Sequence, residues 1–198
     1  MIQFRDISGF GWREDHAAQL VEFAVALPLL VLFVVGIFDF SNAFTFKQKL
    51  TNTARDSARV AAADPANDLG SQPLPVSVID AFQVVDNYFL ANNISDCGVI
   101  TTPSRAGLTW TYTGTTNCPT GGLIITINRG YYFPAVAATQ PASVNCQPLV
   151  APQTAIIGTC VSIQYAYAWK FGKVASLLGA STVLPSMITV TSVAMNEN

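Results

Sequence analysis

The stretch QLVEFAVALPLLVLFVVGIFDF, residues 19–40, decides how this chain of 198 residues is built. No residue from Phe23 to Phe38 is charged, and a carboxylate lies near each end of the stretch, at Glu22 and at Asp39. A helix that crosses a bilayer needs about 20 mostly apolar residues. The stretch therefore predicts a single membrane-spanning helix near the N-terminus.

Glu22 is the unusual residue of this stretch. A carboxylate near the start of a membrane helix is costly in hydrocarbon, so such a residue usually has a partner or a function. The alternative is that Glu22 only marks the membrane interface, where a charge costs little. The residues around Glu22 favour the first interpretation.

These surrounding residues resemble the TadE-like family of tight-adherence (Flp) pilus assembly proteins. The matching segments are VEFA at 21–24, LPLL at 27–30, GIFDF at 36–40, LTNTARDSAR at 50–59 and MITVTSVAM at 187–195. The resemblance is specific over residues 16–63, weaker over 160–197 and absent between them. The family usually ends on Arg-x-Glu, whereas this chain has Asn196 and Glu197, so the basic residue is missing.

The resemblance implies a minor pilin or pseudopilin that acts in assembly of a tight-adherence type pilus, at initiation, at the tip or as a membrane scaffold. It implies as partners a prepilin peptidase, inner-membrane platform proteins and other minor pilins of the TadF or TadG type, with the major pilin as a further candidate. The alternative function is a membrane-tethered extracytoplasmic binding or adhesion module that is not part of a fibre.

The resemblance also implies how the N-terminus is processed. A prepilin peptidase would cut between Ala17 and Ala18, which makes Glu22 the fifth residue of the mature chain, although the family more often has Gly before the cut. The carboxylate of Glu22 could then neutralise the new amine of Ala18, or that of a neighbouring subunit, and fix the register between packed helices. Two other outcomes are cleavage by signal peptidase after Ala43, giving a chain that starts at Phe44, and no cleavage.

Four more residues of the helix are candidate register and assembly positions: Phe23, Pro28, Gly36 and Asp39. Pro28 removes one backbone hydrogen bond and should kink or loosen the helix, which a membrane helix tolerates. Gly36 would allow a second helix to approach closely.

The composition limits the possible activities. Only 11% of the residues are charged and the net charge is −2, which argues against nucleic-acid binding. The sequence contains no P-loop and no Gly-x-Ser-x-Gly motif, and its one histidine, His16, precedes the apolar stretch. We therefore expect no enzyme, no metal site and no cofactor.

The four cysteines all follow the apolar stretch, at Cys97, Cys118, Cys146 and Cys160. An even number of cysteines in a small exported domain predicts two disulfides, with buried free thiols as the alternative. The sequence leaves all three pairings open.

The domain organisation follows from the apolar stretch and the resemblance. We expect a cytoplasmic leader at 1–17, a transmembrane and extended helix at 18–63, and an extracytoplasmic α+β domain at 64–198. The protein would lie in the inner membrane with a single span and a periplasmic C-terminal domain. Counting Lys and Arg around the span favours the opposite orientation, but the cysteines and the resemblance outweigh that count.

The expected fold is α+β and pilin-like. The first helix should continue to Asp64-Pro65 with a narrow apolar stripe of Phe46, Leu50, Ala54, Ala58 and Ala61. A second helix is predicted at 76–91 and a short one at 171–178. Alternating residues predict strands of an antiparallel sheet at 108–112, 123–127, 161–167 and 188–191, and four prolines predict an irregular connection at 130–158.

Overall fold

Three helices and five strands make up the described part of the protein. The computed structural model describes residues 14–67, 69–70, 73–134, 146, 155–177 and 185–197. The elements are α1 (Glu14–Ala63), α2 (Val76–Ala91), β1 (Ser104–Ala106), β2 (Thr109–Gly114), β3 (Leu123–Pro134), β4 (Ala155–Ala166), α3 (Lys170–Leu177) and β5 (Met187–Met195). This arrangement confirms the predicted α+β class with a long N-terminal helix, a second helix and an antiparallel sheet. Most of the predicted leader, residues 1–13, lies outside the described residues.

The chain divides into two compact units, which we call the anchor unit and the sheet unit. The anchor unit contains Met1–Ser41 and Trp169–Val183, and the sheet unit contains Asn42–Ala168 and Leu184–Asn198. α1 contributes residues to both units, whereas α3 belongs to the anchor unit. α2 and all five strands belong to the sheet unit.

The sheet has the strand order β1-β2-β3-β4-β5, and each strand is antiparallel to its neighbour. One row of paired residues crosses it from β2 to β5 and consists of Tyr112, Ile125, Ile163 and Val190. All four side chains are buried. Because alternate residues of a strand point to opposite faces, this row marks the face that forms the core of the sheet unit.

The second half of α1 contributes a stripe of small and apolar side chains to that core. Leu50, Ala54, Ala58 and Ala61 are fully buried, and they recur at the three- to four-residue spacing that the sequence predicted. Beside this stripe, Oγ of Ser57 donates a hydrogen bond to the carbonyl oxygen of Ala81 on α2 at 2.7 Å. The small residues therefore let α1 and α2 come close together.

α2 lies over the same face of the sheet and has the bounds that the sequence predicted. Phe82 stacks on Tyr112 of β2, with ring centroids 4.2 Å apart and planes at 15°. Near the other end of the helix, Phe89 contacts the ring of Tyr165 edge-on at 6.0 Å. Large aromatic side chains thus fix α2 to both β2 and β4, since such pairs add to the energy of burial.

A buried arginine caps the C-terminal end of α1 by hydrogen bonds to its last carbonyl groups. Arg129 of β3 is fully buried, and it donates hydrogen bonds to the carbonyl oxygens of Ala61 and Asp64. Its guanidinium also donates to Oγ1 of Thr159 at 2.8 Å and to Oδ1 of Asn196 at 3.2 Å. The last carbonyls of a helix lack partners within the helix, and a cation is favourable there. Arg129 therefore ties α1 to three strands or strand ends of the sheet.

The predicted irregular connection at 130–158 is wrong at both of its ends. β3 continues to Pro134 and β4 starts at Ala155, so the two strands stay paired well into that interval. The pairing shifts register between Asn128 and Tyr131, and a bulge of this kind lets a ladder resume after an irregular residue. Pro134 ends β3, a position where a missing N–H group is tolerated. Residues 135–145 and 147–154 lie outside the described residues.

The sequence also missed the first strand. β1 has three residues, all exposed, and it pairs only with β2 at the edge of the sheet. A strand this short has no room for an alternating pattern, so no periodic signal could reveal it. The short helix predicted at 171–178 corresponds to α3, and residue 178 lies outside the described residues.

Candidate functional site

The N-terminal part of α1 is a candidate membrane span. Only 6% of the residues in its most apolar 18-residue stretch are buried within the protein. Leu20 is 69% exposed and Phe33 is 62% exposed. Most large side chains between them are exposed as well. A helix in the core of a water-soluble domain would hide such side chains, so this apolar surface is suited to lipid or to neighbouring membrane helices.

Glu22 lies on this exposed helix, one turn after Ala18. Residues four apart share one face of a helix, about 6 Å apart along its axis. Because side chains tilt toward the N-terminus of a helix, the Glu22 side chain can reach back toward the backbone of Ala18. The peptide bond between Ala17 and Ala18 lies within α1, about one turn before Glu22.

Phe23 and Pro28 lie further along the same exposed surface. α1 is assigned as one helix from Glu14 to Ala63, with Pro28 inside it. The side chain of Phe23 is 62% exposed, and Pro28 is exposed as well. Both residues are therefore placed where a neighbouring helix or lipid can contact them.

Gly36 and Asp39 lie against a second element of the anchor unit, the start of α3. A Cβ atom placed on Gly36 would be 3.1 Å from two ring carbons of Phe171. Asp39 is only 3% exposed, and its Oδ2 accepts a hydrogen bond from the backbone N–H of Phe171 at 2.8 Å. The ring of Phe40 lies 5.2 Å from that of Trp169 and 6.3 Å from that of Phe171.

The predicted site residues thus fall into two groups. Gly36 and Asp39 both contact the start of α3. Glu22 lies 14 residues before Gly36, about 21 Å away along the helix axis. The sequence predicted a short helix at 171–178. It could not place this helix against α1, because no local pattern links residues more than 130 positions apart.

The four cysteines form two disulfides, Cys97–Cys118 and Cys146–Cys160, with Cα–Cα distances of 5.3 and 5.5 Å. These distances fall within the usual range for a disulfide. The second bond attaches Cys146 to β4, and Cys160 packs there with Tyr131 in a small buried cluster. The structure therefore selects one of the three pairings that the sequence left open.

Few ionisable groups of the sheet unit have a clearly shifted pKa. Burial raises the pKa of Tyr112 to about 12. Burial, together with the charge of Asp96, also raises the pKa of Tyr165 and that of Asp86. In the part of the chain that the structure describes, no group of three or more His, Cys, Asp or Glu side chains could hold a metal ion.

Comparison with known proteins finds one family. The model of the TadE-like protein family matches residues 17–59, which confirms the predicted resemblance over this part of α1. The matched residues include Glu22, Gly36 and Asp39. No curated protein and no solved structure matches the chain. The match is a similarity, over residues 17–59, to a family of pilus components.

Proposed function

We propose that this protein is a minor pilin or pseudopilin that acts in the assembly of a tight-adherence pilus. The observation that carries the proposal is the TadE-like match at residues 17–59, on a helix whose apolar surface is exposed. An exposed helix of this kind suits a subunit that is held in the membrane and packs against similar helices. The sheet unit would lie on the extracytoplasmic side of the inner membrane, where disulfides persist.

Processing between Ala17 and Ala18 would give Glu22 a partner. The new amine of Ala18 would lie on the same helix face, one turn before the carboxylate. An unpaired charge in hydrocarbon is strongly unfavourable, so each Glu22 would pair with its own amine or with that of an adjacent subunit. Pairing between subunits would fix the register of neighbouring helices during assembly.

The proposed cut precedes the apolar part of α1, so a prepilin peptidase would act at the polar end of the span. The other proposed partners are inner-membrane platform proteins, minor pilins of the TadF or TadG type and the major pilin.

The first test is the intact mass and N-terminal residue of the protein recovered from membranes. We expect a chain that begins at Ala18. An intact Met1 would contradict pilin-type processing and would favour the tethered binding module. A start at Phe44 would remove the membrane helix from the mature protein and contradict the pilin proposal itself.

The second test is pilus assembly in the source bacterium. Deleting the gene should reduce the number or length of pili, and complementation with Glu22→Ala should fail to restore them while the protein is still expressed. Asp80→Ala is the control, because this carboxylate lies on α2, outside the family match. Unchanged pili in the deletion strain would refute the assembly role.

A further inference from the structure

We propose that residues 169–173, at the start of α3, form a second membrane contact that binds anionic lipid headgroups. The contact would lie in the headgroup layer at the Asp39 end of the span. It would hold α3 flat against the membrane surface and set the depth of the apolar helix. This inference rests on the candidate span and not on the proposed role in pilus assembly.

The depth of the contact follows from the length of the span. Residues 18–38 rise about 1.5 Å each and so cover about 31 Å, close to the thickness of the hydrocarbon core. Asp39, the first charged residue after this run, therefore marks the boundary of the hydrocarbon. Phe171 contacts Gly36 through its ring and Asp39 through its backbone N–H. The start of α3 is thus fixed at that boundary.

The residue types at this place are those that suit a headgroup layer. Trp169 and Phe171 are partly exposed, and their rings pack against Phe40 of α1. Lys170 and Lys173 are both exposed. Aromatic rings favour the interface between lipid and water, and lysines there are attracted to anionic headgroups. A short segment with rings against the span and two exposed lysines therefore complements an anionic lipid surface.

The position of Trp169 can be measured by fluorescence quenching of the full-length protein in vesicles of phosphatidylcholine and phosphatidylglycerol. Bromine on the acyl chains quenches only nearby tryptophans. Trp110 is fully buried in the sheet unit. The signal of Trp169 is obtained as the difference between the parent protein and Trp169→Phe. We expect this difference signal to be quenched, whereas an unquenched signal would refute the membrane contact.

The headgroup preference is measured with two vesicle sets of the same lipid composition. One set carries bromine on phosphatidylcholine and the other on phosphatidylglycerol. Each lysine near an anionic surface contributes about fivefold to binding, so brominated phosphatidylglycerol should quench Trp169 more strongly. Equal quenching by the two lipids would contradict the proposed binding of anionic headgroups.

Two double variants test which residues cause the preference for phosphatidylglycerol. Lys170→Gln with Lys173→Gln should make the two brominated lipids quench Trp169 equally. Arg55→Gln with Arg59→Gln is the matched control, since it removes two exposed charges from α1 at least 16 residues beyond Asp39. The preference should persist in this control. A preference that survives the lysine changes, or that disappears in both variants, would refute the assignment to α3.

Discussion

Oδ2 of Asp39 accepts a hydrogen bond from the backbone N–H of Phe171 at 2.8 Å, across 132 positions of the chain. Phe171 is the second residue of α3, so this N–H is one of the donors that a helix cannot satisfy internally. A carboxylate at this end of a helix is also favourable because of the helix dipole. Asp39, which lies on α1, therefore caps α3. The same hydrogen bond gives the buried carboxylate of Asp39 a partner.

Asp39→Ala should loosen α3 within the anchor unit. A hydrogen bond to a charged group contributes about 1.5 to 3 kcal/mol, so local opening should become roughly tenfold more frequent or more. Trypsin can report this opening, because it cleaves after Lys170 and Lys173. We expect the variant in detergent to be cut at these two lysines at least about tenfold faster than the parent protein.

Two variants control for other causes of faster cleavage. Asp39→Asn keeps an oxygen that can accept the N–H of Phe171, so it should fall between the parent and the alanine variant. Asp56→Ala removes an exposed carboxylate from the same helix and should leave the cleavage rate unchanged. Equal rates for the parent and Asp39→Ala would show that the hydrogen bond does not hold α3.

The helices of this protein could be predicted closely from the sequence. α2 has the predicted bounds because four apolar residues recur on one face, at Val78, Phe82, Val85 and Phe89. α1 ends just before Asp64-Pro65, as predicted, since a proline disfavours the helical conformation of the residue before it. Both signals are local, and local signals can be read without the structure.

The contacts that depend on distant parts of the chain could not be predicted. Arg129 follows the strand that the sequence predicts at 123–127 and would be expected at the surface, because an arginine is rarely buried without partners. Its partners are carbonyl oxygens at the end of α1, more than 60 residues earlier. The hydrogen bond by which Asp39 caps α3 likewise joins residues that are far apart in the chain. Only the assembled fold supplies acceptors and donors of this kind.

Arg129→Met should destabilise the sheet unit. It leaves the carbonyl oxygens of Ala61 and Asp64 without this donor inside the protein, at a cost of about 1 to 3 kcal/mol for each buried group. We expect a loss of about 3 kcal/mol in the free energy of unfolding. Denaturant unfolding, followed by the fluorescence of the buried Trp110 in a background with Trp12→Phe and Trp169→Phe, would measure it.

A conservative variant and a control variant test whether the loss of stability depends on the buried arginine. Arg129→Lys keeps a cation with fewer donors and should lose less stability than the methionine variant. Arg55→Met removes an exposed arginine of α1, and it should change the stability by about 0.5 kcal/mol or less. Unchanged stability in Arg129→Met would show that an apolar side chain fills this site equally well.

The disulfide pairing can be tested with a tryptic digest under non-reducing conditions. Cleavage after Arg105, Arg129 and Lys170 leaves Cys97 and Cys118 on separate peptides, while Cys146 and Cys160 share one peptide. The pairing seen in the structure predicts one joined pair of peptides and one peptide with an internal bond. Either of the other two pairings would join all three peptides into a single product.

Removing either disulfide should lower the stability of the sheet unit. The bonds close loops with sequence separations of 21 and 14 residues, and loops of this length correspond to about 3 kcal/mol in the chain-entropy description. Replacing both cysteines of one pair by alanine should therefore reduce the free energy of unfolding by a similar amount for each pair. A double variant as stable as the parent would contradict a structural role for that bond.

The stability of the sheet unit should fall at alkaline pH because of Tyr112. Burial raises the pKa of this tyrosine from 10.0 to about 12, so the folded state holds the proton more tightly than the unfolded chain does. Its contribution is complete below pH 10 and is lost as the pH rises toward 12, by about 1.4 kcal/mol for each pH unit. Tyr112→Phe keeps the ring against Phe82 but cannot ionise, so its unfolding free energy should decline less over this range. Parallel declines in the variant and the parent would show that Tyr112 does not cause the loss.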